Sequence, residues 1–180
     1  MDLSGSVEAR FEMAMHFMTA VINNLDFNFG LTRVGVITYG DHAQMRFPLE
    51  LYRSKQEVLN AVAFKPDQGK TNTQEALNMM WEIGFTAAAG DRPGVQNVGI
   101  HITDGRSNVN QDNTLPEATR AKLEGIEMYS VALGNEVDMD EITGMASDPP
   151  SKYVFTVADE SEIEEVARKL TIDNLCNWLV

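Results

Sequence analysis

Along the chain, short β-branched apolar runs alternate with longer segments in which apolar residues recur every three or four positions. From Val7 to about Asn24, the residues Phe11, Ala14, Met15, Met18 and Ile22 fall at helical spacing, and Ser6, Glu8 and Glu12 supply start signals, so a long amphipathic helix is expected. Beyond Gly30, Arg33 to Tyr39 is nearly continuous in apolar character, as in a strand buried on both faces, whereas Ala43 to Leu51 alternates and reads as an edge strand. Ser54 caps a short helix through Ala63. A loop at Lys65–Lys70, carrying Pro66 and Gly69, leads into a helix from about Thr73 that uses Ala76, Leu77, Met80 and Ile83, with its methionine pair as core filler. Four further segments continue the alternation: a strand at Asn97–Thr103, a helix from Leu115 or Pro116 to Glu124, a strand at Glu127–Leu133 and a short helix at Asp138–Met145. A strand at Lys152–Val157 and a final helix from Ser161 to Leu170 or beyond, carrying Ile163, Val166, Ala167 and Leu170, complete it. No repeat or low-complexity linker interrupts the series. The expected architecture is therefore α/β: a doubly wound, mainly parallel sheet with helices on both sides and a ligand site at the carboxyl ends of its strands.

A chain of 180 residues fits one domain, residues 1–180, because two would each be undersized. No apolar run approaches the ~20 residues that span a bilayer, so membrane insertion is not expected. Charge narrows the partners further. With 27 acidic and 14 basic residues, the net charge of -13 opposes nucleic acid and anionic membranes and favours cations. Part of that acid, Asp159, Glu160, Glu162, Glu164 and Glu165, opens the final helix, where it complements the positive end of the helix dipole. Cys176 stands alone, so no internal disulfide is possible, and the polar residues that follow Met1 do not form a signal peptide.

Three separated segments converge on the predicted edge: Asp2-Leu-Ser4-Gly-Ser6 before the first helix, Gly69-Lys-Thr71-Asn-Thr73 before the third, and Thr103-Asp104-Gly105 after a strand. Together they offer two carboxylates and several hydroxyls, hard oxygen ligands without His or Cys to recruit zinc, and so suit magnesium, with manganese or calcium as substitutes.

At this point the sequence resembles the von Willebrand factor A domains, including integrin inserted domains, matrilins and microfibrillar collagens, over almost its whole length. Their metal-ion-dependent adhesion site has the form D-x-S-x-S, then T, then D. The resemblance implies that Ser4 and Ser6 ligate the metal directly, that Thr71 does so when ligand is bound, and that Asp2 and Asp104 act directly or through water. With hydroxyls in the inner shell the cation stays electrophilic and seeks an outside anion, and an Asp or Glu of a partner protein would complete its octahedron. Collagen or another matrix protein is the expected partner, and self-association is a further expectation. Gly69, Lys70, Asn72, Gly105 and Arg106 would form the rim, within loops Asp41–Gln44, Asp67–Lys70 and Arg106–Asn113 whose surface shape sets specificity. The family also implies that Thr71 approaches the metal as the helix Ser161–Leu170 shifts.

The resemblance implies an extracellular location as well. Many extracellular members pair a cysteine before the first strand with one after the last helix, and Cys176 occupies the latter place. A scaffold subunit inside the cell, or one that works without metal, is the alternative. A magnesium-dependent hydrolase is more remote, because there is no G-x-x-x-x-G-K-[ST] loop and no base evident beside Ser4 or Ser6. His16, His42 and His101 read as structural, Lys70 as a solvated side chain, Asn108, Asn110 and Asp112 as a polar loop, and Trp81 and Trp178 as packing anchors. One departure stands out. The family runs an apolar central strand into the D-x-S-x-S loop, and here Met1 alone precedes Asp2. That truncated strand would leave its neighbours unpaired. Met1 is therefore expected to be an internal residue of a longer sequence, Asp2 to be poorly anchored, and the chain as given either to fold poorly or to borrow a strand from another chain.

Overall fold

The computed structural model describes residues 1–3, 10–66, 69–135 and 137–175, with only the backbone described at 173 and 174. Ser4, Ser6, Asp67, Cys176 and Trp178 lie outside the described residues.

Five strands and seven α-helices alternate: β1 (Val36–Tyr39), β2 (Ala43–Phe47), β3 (Asn97–Thr103), β4 (Ile126–Leu133) and β5 (Val154–Val157), with α1 (Phe11–Asn24), α2 (Lys55–Ala61), α3 (Thr73–Met79), α4 (Thr114–Leu123), α5 (Met139–Met145), α6 (Pro150–Tyr153) and α7 (Ile163–Arg168). β3, β4 and β5 form a parallel sheet in that order, and β1 pairs antiparallel with β2. Met1–Leu3 spans the gap between the two groups. Asp2 N–H donates to Ile102 O at 3.0 Å, Leu3 N–H donates to Tyr39 O at 2.7 Å, and Asp2 forms a parallel bridge with Tyr39.

Helices cover both faces, as a doubly wound sheet requires. Phe17 and Val21 of α1 and Ile163 and Ala167 of α7 pack with Tyr129, Val131 and Leu133 on one side. Leu77, Ala118, Ala121, Ile142 and Met145 pack with Met128 and Ala132 on the other. β4 is consequently buried on both faces, which is why its sequence IEMYSVAL is apolar at nearly every position rather than at alternate ones. Local chemistry sets the helix starts. Ser54 and Glu57 form a reciprocal capping box at α2, and the Asp138 carboxylate accepts the N–H groups of Asp140 and Glu141 at α5. Trp81 anchors α3 to α4: its indole N–H donates to Glu117 at 2.8 Å and the Arg120 guanidinium lies over its ring.

Some expected boundaries move, and two helices change type along their expected length. β5 begins at Val154, not Lys152, because Pro150 starts the one-turn helix α6. The third helix runs on into a π-helical segment at Met80–Gly84. The last helix opens as a 3-10 turn at Glu160–Glu162 and continues past α7 as a π-helical segment at Lys169–Leu175. Among the described residues no helix is long and apolar enough to cross a membrane.

Candidate functional site at the carboxyl edge of the sheet

The site is assembled where β1, β3 and β4 end. The expectation that Asp2 is poorly anchored is overturned: it is 1% exposed, its N–H is held by β3, and its carboxylate accepts the Thr103 hydroxyl at 2.7 Å. The segment is hydrogen-bonded on both sides, to β3 through Asp2 and to β1 through Leu3. The Thr103 hydroxyl also accepts the Gly105 N–H at 3.2 Å, so one side chain fixes both Asp2 and the turn that carries Asp104.

Thr71 reaches the same place from the loop before α3. Its N–H donates to the Asn108 side chain at 2.8 Å and its carbonyl accepts the Asn108 N–H at 3.0 Å, which stitches this loop to the one after β3. On the other flank Asn72 N–H donates to Gly40 O, and Lys70 N–H donates to the Asp41 carboxylate at 2.8 Å. A Cβ at Gly69 would lie 2.9 Å from the Asp41 carboxylate, so a larger residue here would push that side chain aside. Thr71 and Asp104 are each 3% exposed, so a partner would meet what these groups hold rather than the groups themselves.

Arg10, at the entry to α1, supplies positive charge. Its guanidinium lies 3.9 Å from the Asp104 carboxylate and donates to Leu133 O at 3.3 Å. Behind the site, Ser107 N–H donates at 2.8 Å to Glu141, which α5 projects inward; burial raises the Glu141 pKa and this hydrogen bond partly offsets the rise. Beneath Asp2, the Tyr39 hydroxyl and His101 Nε2 are 2.5 Å apart. Burial first, and Asp2 second, push the Tyr39 pKa well up, while burial and the neighbouring Met1 amine push His101 down to about 3. His101 is therefore neutral at physiological pH, as a structural histidine should be.

The structure buries Asp2, Thr71 and Asp104, with Asp2 tied to Thr103 and Thr71 tied to Asn108, while Ser4 and Ser6 fall outside the described residues. Their oxygen-rich chemistry fits a hard divalent cation. Of the rim residues, Gly69 and Lys70 are exposed and Arg106 is largely so, with its guanidinium 3.0 Å from Asp138. Asn72 is a correction. It is 5% exposed, and its amide donates to Asp41 O and Glu75, so it braces the loop and presents nothing to a partner. Arg10, Ser107 and Glu141 were not legible as site residues, since each acts through contacts 34 to 123 residues away in sequence. Thr103 carried one signal, its place directly before Asp104-Gly105.

The sequence pattern of the von Willebrand factor type A domain matches residues 1–169. Human matrilin-1 is 35% identical over 172 residues, which cover 93% of this chain and 34% of that protein. The collagen alpha-1(XII) chain of Notophthalmus viridescens is 32% identical over 168 residues, covering 93% of this chain and 18% of that one. The chain thus spans about a third or less of these relatives. Among solved structures, proximal thread matrix protein 1 from the mussel byssus superposes with a TM-score of 0.82 at 23% identity, covering 94% of this chain and 45% of that one.

Proposed function

The chain belongs to the von Willebrand factor type A domain family, of the extracellular matrix type, and from that premise we propose that it is an adhesion module that binds an acidic side chain of a partner protein through a divalent cation. The observation that supports the reading is the burial of Asp2, Thr71 and Asp104 in segments that Thr103 and Asn108 hold at the carboxyl edge of the sheet. Asp2, Ser4, Ser6, Thr71 and Asp104 would hold the ion, magnesium in the first instance. When bound, the cation supplies a Lewis-acidic position that a carboxylate from outside can fill.

The chain's own residues set the terms of that contact. Two carboxylates leave a divalent ion incompletely neutralised once the Arg10 guanidinium has drawn on Asp104. Exposed Lys70 flanks the site with positive charge, Arg106 being paired with Asp138, inside a molecule of net charge -13 whose field elsewhere repels an acidic partner. Likeness of fold to a mussel byssus protein solved with zinc in its adhesion motif, and to manganese-loaded Plasmodium vivax TRAP protein with a TM-score of 0.76, supports a divalent ion. Matrilin and collagen XII relatives support a matrix partner, collagen among the candidates. The reading is one of binding, not catalysis.

Magnesium titration by calorimetry tests it, with Asp104→Asn and Thr71→Val beside the unaltered chain. Saturable one-site binding that is lost in Asp104→Asn, with the thermal unfolding midpoint of the metal-free protein preserved, is the expected result. Binding to immobilised matrix proteins should then vanish with a chelator. A folded chain that takes up no divalent ion, or a partner retained in chelator, refutes the proposal and favours a scaffold that works without metal.

A further inference from the structure

Arg10 sits beside Asp104 in a seat shaped for a guanidinium. It donates to Leu133 O at 3.3 Å and to Asp104 O at 3.5 Å, two main-chain acceptors where β4 ends and where the chain leaves β3. Gly134 supplies the room. Its φ is +83°, a Cβ there would lie 2.6 Å from the guanidinium carbon, and its N–H donates to Val157 O at 2.7 Å. The Arg10 side chain is 28% exposed, whereas that of Asp104 is 1% exposed.

This seat delivers charge and leaves the carboxylate in place. Guanidinium and Asp104 carboxylate stand 3.9 Å apart, within Coulombic reach and too far for a hydrogen bond. An arginine that braced the carboxylate would take the two-pronged contact at about 2.8 Å that such pairs favour. Here the donors go to main-chain oxygens instead, and the turn that carries Asp104 is tied down by Thr103. Of the basic groups on the rim, Lys70 is exposed, and Arg106 is exposed and paired with Asp138. Arg10 differs in acting on a carboxylate that is itself buried, where screening by salt is weakest.

Resting on the reading of this site as a cation centre, we propose that Arg10 acts through Asp104 to set cation affinity against partner affinity. A fixed positive charge beside a carboxylate ligand opposes uptake of the ion. The same charge reduces the neutralisation that Asp104 gives a bound ion and adds its own attraction for an incoming anion, so it tightens the hold on a partner's carboxylate. One side chain thus moves two equilibria in opposite directions, each by about three- to tenfold at this separation and partial burial. A purely structural arginine would move both the same way, because its loss loosens the site for ion and partner alike.

Two variants of the 180-residue chain test this. Arg10→Gln removes the charge and keeps a donor for Leu133 O, and Arg10→Lys keeps the charge. Calorimetry should show magnesium bound at least about threefold more tightly by Arg10→Gln than by the unaltered chain, with Arg10→Lys within about twofold of the latter. Acetate is then titrated with magnesium held at about twenty times each protein's own Kd and followed by the Thr71 and Gly105 amide shifts in NMR spectra. It should bind Arg10→Gln at least about threefold more weakly. In chelator, the drop in thermal midpoint caused by Arg10→Gln should shrink in an Asp104→Asn background, which reads the contact with no ion bound. Magnesium affinity unchanged or reduced in Arg10→Gln, acetate affinity that does not fall, or an equal midpoint drop in both backgrounds overturns the role of Arg10 and leaves the cation site standing. An unaltered chain that takes up no magnesium refutes the site itself, and this role with it.

Discussion

Acidification is expected to destabilise this fold through His101. The ring is 4% exposed, its Nε2 is 2.5 Å from the Tyr39 hydroxyl, and its Nδ1 is buried with no hydrogen-bond partner, an arrangement that suits the neutral form alone. Burial, reinforced by the Met1 amine, holds the folded pKa at about 3 against 6.5 for an ordinary histidine. Between those values the unfolded chain binds a proton that the folded chain refuses. Stability therefore rises with pH across that window and is lost as pH falls below about 6.5. From pH 6.5 to pH 5 the loss is about 1.5 units at 1.36 kcal/mol each, or roughly 2 kcal/mol, a large share of a typical stability of ~5–15 kcal/mol. The Met1 amine acts in the same sense, its pKa lowered by burial from 8.0 to about 5, so acid sensitivity of the whole chain is not by itself diagnostic. Comparison with His101→Gln isolates the imidazole. Urea midpoints at pH 7 and pH 5 should show the unaltered chain losing about 2 kcal/mol more than the variant. Parallel losses in the two proteins would refute the assignment of a neutral, buried His101.

Thr103→Val removes the hydroxyl that binds Asp2 and the Gly105 N–H, and should cost about 1–3 kcal/mol in thermal unfolding and at least about tenfold in magnesium affinity by calorimetry. Gly134→Ala places a Cβ 2.6 Å from the Arg10 guanidinium at a φ of +83°, so it should cost about 1–2 kcal/mol, measured by urea denaturation, and displace Arg10 from Asp104. Phe17→Ala empties a fully buried position of α1 between the sheet and α7, and chemical denaturation should register a loss of about 3–5 kcal/mol with an unchanged fold.

The fold was legible because its elements are built from signals local in sequence. β3 occupies the predicted Asn97–Thr103, and Ser54 caps the helix it was expected to cap. What escaped was set by contacts between distant segments. Whether Lys152 is strand or helix turns on Pro150 and on pairing with β4, and the π-helical ending of the third helix has no marker in Met80–Gly84. At the site, Asp2, Thr71 and Asp104 stood out as oxygen donors at the mouths of three elements, and each is buried there. Arg10 did not stand out, because an arginine in a first helical turn looks like any solvated charge until Gly134 leaves room for it beside Leu133. Asn72 misled for the opposite reason. It sits in the right loop, yet its amide is turned inward to Asp41 and Glu75.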